Sequence, residues 1–271
     1  KVERVEAIAG HLATLWDPSA ELTCRRVAQL CKADLMTGMV GEFPSLQGVM
    51  GREYAKRDGE PDSVADAIAE HYLPRFSGDT LPQSLPGTIV SIADRIDTIA
   101  GYFIVGGAPT GSQDPYGLRR QAQGILQIAL AGSTSLSLCD LVEKALGAFQ
   151  PALDFDREKT ATDILGFFRQ RMESTCDSEG YRYDLVRAVL ERDTFDDPLD
   201  ARQRITALHN VARDTVFVEL VSAFKRIINI LPETPPTSVS EALFAVDAER
   251  EVYMQLQDCR SRIVEYLAAQ E

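Results

Sequence analysis

At 271 residues and 45% hydrophobic content, the chain is long enough for about two domains with a sizeable core. Its 41 acidic residues against 28 basic ones leave a net charge of −13, which excludes coating of nucleic acid by bulk electrostatics and polybasic attachment to anionic membrane, while leaving room for a local basic patch that reads one RNA. No apolar run approaches the roughly 18 residues of a membrane-spanning helix, so none is expected.

Helical periodicity runs through the chain, and no strand alternation or internal repeat interrupts it, so the fold class expected is all-α. The amphipathic start KVERVEAIAGHLATLW lacks the apolar block of a signal peptide, and Val5, Ile8, Leu12 and Leu15 mark a first helix. Asp17-Pro18 pairs an N-cap acid with proline at the first helical position and predicts the next helix start. The stretch 29–55, QLCKADLMTGMVGEFPSLQGVMGREYA, is dense in unusual pairings. Asp34, Gly38 and Glu42 are four residues apart and are expected on one helix face. Pro44 breaks that run, with Gln47, Gly48 and Gly51 expected in a second helical segment. Polar residues set among Leu35, Met36, Met39, Val40 and Phe43 predict a buried or contact-making corner.

Gly59 suits a left-handed helix end, and Pro61-Asp62 restarts a helix through Ile68 and Tyr72. After the loop SGDTLPQSLPG comes a helix with Ile92, Ile96, Ile99 and Phe103 on one face and Ser91, Asp94, Asp97 and Gly101 on another. Acids at this spacing either bind a metal or take hydrogen bonds from a neighbouring helix. The loop GGAPTGSQDPYG is glycine-rich but matches no phosphate-binding loop. Asp114-Pro115 then caps a helix bearing Arg119 and Arg120, a pair that is either solvated or a contact for RNA or a partner, since guanidinium forks suit phosphate.

AGSTSLSL, beginning at Ala131, is a first boundary candidate, followed by helices over 138–149 and 156–176 and a further amphipathic helix ending at Asp193. DTFDDPLD is a second boundary, with Asp197-Pro198 starting another helix. Over 202–226 the local charge changes sign: Arg202, Arg204, Arg213, Lys225 and Arg226 stand against only Asp214 and Glu219. In VFVELVSAFKRIINIL a polar stripe of Glu219, Ser222, Arg226 and Asn229, bordered by Lys225, faces otherwise apolar surroundings, so this helix is expected to be buried on most sides. The stripe is either solvated or a nucleic-acid contact, with cations for phosphate and an amide for a base edge. A long helix from about Glu241 closes the chain.

Chemistry-bearing patterns are scarce. G-x-S-x-G, phosphate-loop, H-E-x-x-H and dinucleotide fingerprints are all missing, and His11, His71 and His209 lie far apart in sequence, which disfavours histidine-dependent catalysis. The five cysteines, Cys24, Cys31, Cys139, Cys176 and Cys259, form no C-x-x-C pair and are expected as small core thiols in a reducing compartment.

Six segments carry a more specific signal: KADLMTGMVGEFPSLQGVMGREYA, HYLPRFSGDTLP, SIADRIDTIAGYF, DPYGLRRQAQGIL, EGYRYDLVRAVL and AFKRIINIL. In this order and spacing they resemble the beta subunit of the bacterial two-subunit glycyl-tRNA synthetases, over residues 1 to about 265. The chain starts without Met and in mid-helix pattern and ends without a stop signal, so it is expected to be the C-terminal part of a longer subunit, without its amino-terminal domains and last helices. The resemblance implies a degenerate HD-domain-like helical bundle at 1–132, a helical linker at 133–197, and the truncated start of a helical DALR-like anticodon-binding domain at 198–271. It implies tRNA-Gly and the synthetase alpha subunit as partners in an alpha2beta2 assembly in the cytoplasm, with neither DNA nor membrane. Glycine activation, with ATP and Mg, would belong to the alpha subunit, and no catalytic residue, metal or cofactor to this chain. Lys225, Arg226 and Asn229 would contact the anticodon arm, with Arg119 and Arg120 nearer the acceptor end. HD enzymes hold metal with His, a His-Asp doublet and a later Asp; here Lys32-Ala33-Asp34 takes the doublet's place and Asp94 resembles the later Asp, so the resemblance implies a retired site in which Asp34 and Asp94 hold helices in place or face a partner. Two alternatives remain: an HD-type metal-dependent phosphohydrolase built on Asp34 and Asp94, and a structural scaffold docking through the Met- and Gly-rich stretch.

Overall fold

A computed structural model describes residues 1–76, 78–109, 114–132, 134–150, 152–191, 195–231 and 239–269. Among these residues there are thirteen α-helices, a few short 3-10 turns and no strand. The chain divides into two compact units, Lys1–Arg213 and Asp214–Glu271. No described helix is long and apolar enough to cross a membrane.

The first unit is organised around α6, Leu85–Ile104. Ser84 starts it, its hydroxyl accepting from the Gly87 N–H at 3.1 Å. Ile89, Ile92, Ile96 and Ile99 are fully buried, each contributing about 1.5–3 kcal/mol by leaving water. The helix is covered by α1 (Val2–Trp16), α2 (Glu21–Leu30), α5 (Asp62–Glu70), α7 (Leu118–Ala131), α8 (Leu138–Gly147) and α9 (Arg157–Ser178). So complete a wrapping buries the polar face of α6 as well: Ser91, Arg95 and Asp97 are all inside, each held by partners on the covering segments. Asp97 takes the Arg4 guanidinium of α1 at 2.6 Å, so hydrogen-bonded ion pairing is what this face does.

The 29–55 stretch differs from its linear reading. The residues expected to share one helix are split between a 3-10 turn, Ala33–Met36, and a separate short α3, Gly38–Glu42. Thr37 separates them, its hydroxyl donating back to the Asp34 carbonyl at 2.7 Å. Gln47 and Gly48 precede α4 (Val49–Arg57) instead of lying within it, and Gly48 adopts φ +79°, the left-handed region open to glycine. Nor is the corner apolar inside: Leu35, Met36, Met39 and Phe43 are exposed, Met36 at 89%, while Val40 and Asp34 are buried. A carboxylate, not a hydrophobic cluster, closes this corner.

Other signals translate directly. Asp17 accepts from the Ser19 N–H at 2.9 Å, Gly59 sits at φ +85° after α4, and Asp197 caps α11 (Pro198–Val211). Asp114 accepts from the Leu118 and Arg119 N–H groups at 2.8 and 3.0 Å, so it caps α7 from four residues before that helix begins. α10 (Tyr183–Leu190) completes the unit; its expected end at Asp193 lies outside the described residues, as do parts of the loops around residues 77, 110–113, 133 and 232–238 and of the 193–200 boundary. Cys24, Cys31 and Cys176 are buried, whereas Cys139 and Cys259 are exposed, because their helices turn those positions outward.

In the second unit, Asp214 caps α12 (Thr215–Ile228) and Glu249 accepts from the Ala245 and Val246 N–H groups at the start of α13 (Asp247–Ala268). The expected burial of α12 is not observed: it has no buried residue, and Val216, Phe224 and Ile228 are more than half exposed. Periodicity specifies which faces are apolar, but burial requires a neighbouring element to cover them.

Candidate functional site

Three helix segments converge on one point in the first unit. Lys32 follows α2, His71 ends α5 and Asp94 lies on α6. His71 is fully buried, and its Nδ1 lies 2.5 Å from the Ile68 carbonyl, which places the ring proton there and leaves Nε2 as an acceptor. The Lys32 ammonium donates to His71 Nε2 and to Asp94 Oδ2, both at 2.9 Å, and stands 4.2 Å from the Tyr72 ring centroid. Lys1 adds a second cation 3.0 Å from Asp94 Oδ1. Burial by itself would raise the Asp94 carboxyl, but the Lys32 and Lys1 ammonium groups outweigh it and hold the carboxyl below its ordinary range. Burial, reinforced by the Lys32 charge, pushes His71 down to about 3.

These shifts set an acid sensitivity. A histidine that stays neutral when folded but protonates near 6.5 when unfolded costs no stability above that pH and progressively more below it, down to about 3. Asp94 acts with the same sign in a lower window, as pH falls beneath the ordinary carboxylate range. Stability is therefore expected to fall between pH 6.5 and 4 by up to about 1.4 kcal/mol per pH unit from His71. Urea midpoints across this range would check it: His71→Gln should flatten the slope, and a parallel slope would refute the assignment.

His71 is the residue that sequence reasoning misses, since the three histidines lie too far apart in the chain to suggest a shared site. The separation is 39 residues to Lys32, but the ends of α2 and α5 meet against α6. Asp34, by contrast, does not join the cluster. It is 1% exposed and turns away, its Oδ2 accepting from the Gly48 and Gly51 N–H groups at 2.6 and 3.1 Å. Among the described residues, no group of three or more His, Cys, Asp or Glu side chains is placed to hold a metal. The donor set that an HD-type metal needs is thus not met: one imidazole and one carboxylate face an ammonium.

The cluster lines a cavity of about 420 Å³ whose wall also includes Arg75 and Arg120. Beside it runs a groove of about 220 Å³ lined by Arg75, Phe76, Arg119, Arg120, Gln123 and Arg171. Arg119 and Arg120 come from α7, as the sequence pair indicated; Arg75, from the loop after α5, and Arg171, from α9, are added by the fold. Phe76 is 61% exposed beside them. Arg171 is pushed below its usual pKa first by burial and then by the Arg119 guanidinium, a sign of crowded positive charge. Four arginines therefore gather on one face of a chain with net charge −13.

Lys225 and Arg226 occupy the last turn of α12 and Asn229 its C-cap, all exposed, in the second unit. The basic character expected over 202–226 is partly cancelled. Arg202 pairs with Glu179, and Arg204 with Asp200 at 2.8 Å, acids that lie outside the linear window.

The family model for the glycyl-tRNA synthetase beta subunit matches residues 1–191. The chain is 45% identical over 242 residues to the glycine–tRNA ligase beta subunit of Clostridioides difficile (strain 630), covering 89% of this chain and 35% of that protein. The corresponding subunit of Trichlorobacter lovleyi is 45% identical over 260 residues (96% and 38%), and that of Syntrophus aciditrophicus 44% over 267 residues (98% and 39%). The chain thus spans little more than a third of the length of these relatives.

Proposed function

This chain belongs to the glycyl-tRNA synthetase beta subunit family, and we propose that it contributes tRNA-contacting surface to a glycine–tRNA ligase whose bond-forming chemistry, with its ATP and Mg, lies on an alpha subunit. The observation that carries this reading is the gathering of Arg75, Arg119, Arg120 and Arg171 around one groove in an otherwise acidic chain. Guanidinium forks match phosphate oxygens, and the exposed Phe76 ring offers a face on which an unpaired base can stack. In this reading 1–132 is a retired HD-like domain, 133–197 a helical linker and 198–271 the start of an anticodon-binding domain. Arg119 and Arg120 face the acceptor end, and Lys225, Arg226 and Asn229 the anticodon arm. The subunit works in the cytoplasm within an alpha2beta2 assembly and binds no cofactor through this chain.

A second, compatible role is supported by the exposed Leu35, Met36, Met39 and Phe43, an apolar corner suited to docking another part of the assembly. The phosphohydrolase alternative loses support from the Lys32 ammonium, which takes the space between His71 and Asp94.

The test is titration of tRNA-Gly, with a control tRNA, against the intact beta subunit at several salt concentrations. Arg75→Gln with Arg120→Gln is expected to weaken binding about tenfold or more and to reduce the salt slope by about 0.7–0.9 for each phosphate no longer neutralised. Lys225→Ala with Arg226→Ala is expected to act in the same direction. Unchanged affinity and slope in the first pair would exclude the groove; unchanged values in the second would exclude the α12 residues.

A further inference from the structure

His71 is oriented as a metal-bound imidazole usually is. Its Nδ1–H is tied to the Ile68 carbonyl, so the Nε2 lone pair points into the cluster. Asp94 presents Oδ2 to the same point, and that point is the Lys32 Nζ, 2.9 Å from each. The ammonium therefore meets the two demands a cation would meet there. It neutralises a carboxylate that is mostly out of water, and it occupies a bare imidazole acceptor. It also joins the ends of α2 and α5 to the middle of α6.

We propose that Lys32 is a tethered cation standing in a latent divalent-metal site, which holds the three helices together and excludes a metal ion while it is present. A metal between His71 and Asp94 alone would have too few protein donors, and with the ammonium in place it would meet a like charge at contact distance. Lys32→His removes the charge and supplies the missing donor. An imidazole plus one metal–nitrogen bond of about 2.1 Å has a reach comparable to that of a lysine side chain, and the result is a two-histidine, one-carboxylate set.

The experiment uses the intact subunit, with calorimetric titration of Zn²⁺ and of Mn²⁺ and thermal unfolding in excess EDTA or excess metal. The wild-type chain is expected to take up no metal at this site and to keep its unfolding midpoint in EDTA. Lys32→His is expected to unfold at lower temperature than wild type in EDTA, to bind one additional equivalent of metal, and to gain several degrees when metal is in excess over its Kd. Adding Asp94→Asn to Lys32→His should abolish that equivalent and that gain. Metal uptake by the wild type that Asp94→Asn removes would overturn the proposal. So would a Lys32→His chain that binds no extra metal, or one whose binding survives Asp94→Asn. The tethered-cation half has its own test should Lys32→His fail to fold. Lys32→Met leaves the Asp94 charge without its main partner, so Lys32→Met with Asp94→Asn should unfold at higher temperature than Lys32→Met alone; the opposite order would sink it.

Discussion

Arg95→Met is expected to destabilise the first unit by about 3–5 kcal/mol, because it takes the donor from several buried carbonyls at once. Arg95 is 5% exposed at the centre of α6. Its Nη1 donates to the His71 carbonyl at 3.2 Å and to the Ser91 carbonyl at 3.1 Å. Its Nη2 donates to the Tyr72 and Pro74 carbonyls at 3.0 and 2.8 Å. The 71–74 carbonyls follow the end of α5, where no further helical turn supplies their N–H partners. Methionine fills similar space but donates nothing, and each carbonyl left unsatisfied costs about 1–3 kcal/mol. Burial lowers the guanidinium only to about 10, so it keeps its charge at neutral pH. Gly124→Ala should have a related effect through sterics, since a Cβ there would meet Arg95 Nε at 2.6 Å. The urea midpoint is the readout, and a loss under about 1 kcal/mol for Arg95→Met would show that these carbonyls find other partners. The same segment carries His71, Tyr72 and Arg75, so, if the groove contacts tRNA as proposed, the variant should also weaken that binding through Arg75 without removing an arginine from the groove.

Asp34→Ala is expected to cost about 2–4 kcal/mol, because it strips the acceptor from two buried N–H groups. Gly48 is the N-cap of α4 and Gly51 lies in its first turn, yet the carboxylate that satisfies both comes from 14 and 17 residues earlier in the chain. A negative group at a helix N-terminus also meets the positive end of the helix dipole. Asp34→Asn keeps an acceptor oxygen and loses the charge, so its cost should fall well below that of Asp34→Ala. Gly51→Ala probes the same packing, since its Cβ would stand 2.8 Å from Ile68 Cγ2 and 3.2 Å from Asp34 Oδ2. Amide hydrogen exchange at Gly48 and Gly51 reports the cap directly. Unaltered protection at both in Asp34→Ala would mean that other groups satisfy them.

Both predictions concern residues whose chemistry is plain in the sequence and whose work is not. Asp34 stands out as a polar residue among apolar neighbours, and its resemblance to a retired HD position points toward holding helices in place or facing a partner. Its actual task, capping a helix still to come, depends on how the chain folds back after Phe43. Arg95 carries no signal in the sequence, because one arginine in an amphipathic helix is ordinarily solvated. Its burial follows from α6 being covered on its polar side as well as its apolar one. The basic groove is half legible: the Arg119-Arg120 pair is a local pattern, whereas Arg75 and Arg171 reach it from other segments. The basic character of 202–226 is weaker than its residues suggest for the converse reason, since Glu179 and Asp200 enter from outside that window.

What is local in this protein can be read without coordinates. Apolar spacing, Asp and Ser caps, and glycine at helix ends act over three or four residues, and they specify an all-α chain with most of its helix starts in place. The six family motifs are legible for the same reason, as runs of neighbouring residues. What depends on helices meeting was decided only by the tertiary structure. The approach of α2, α5 and α6 turns Lys32, His71 and Asp94, spread over more than sixty residues, into one cluster. At 2.9 Å an ammonium, an imidazole and a carboxylate form a closed electrostatic unit; apart, they are three ordinary side chains. Hydrogen bonds and ion pairs act over a few ångströms of space, and sequence distance carries no information about that until the fold is formed.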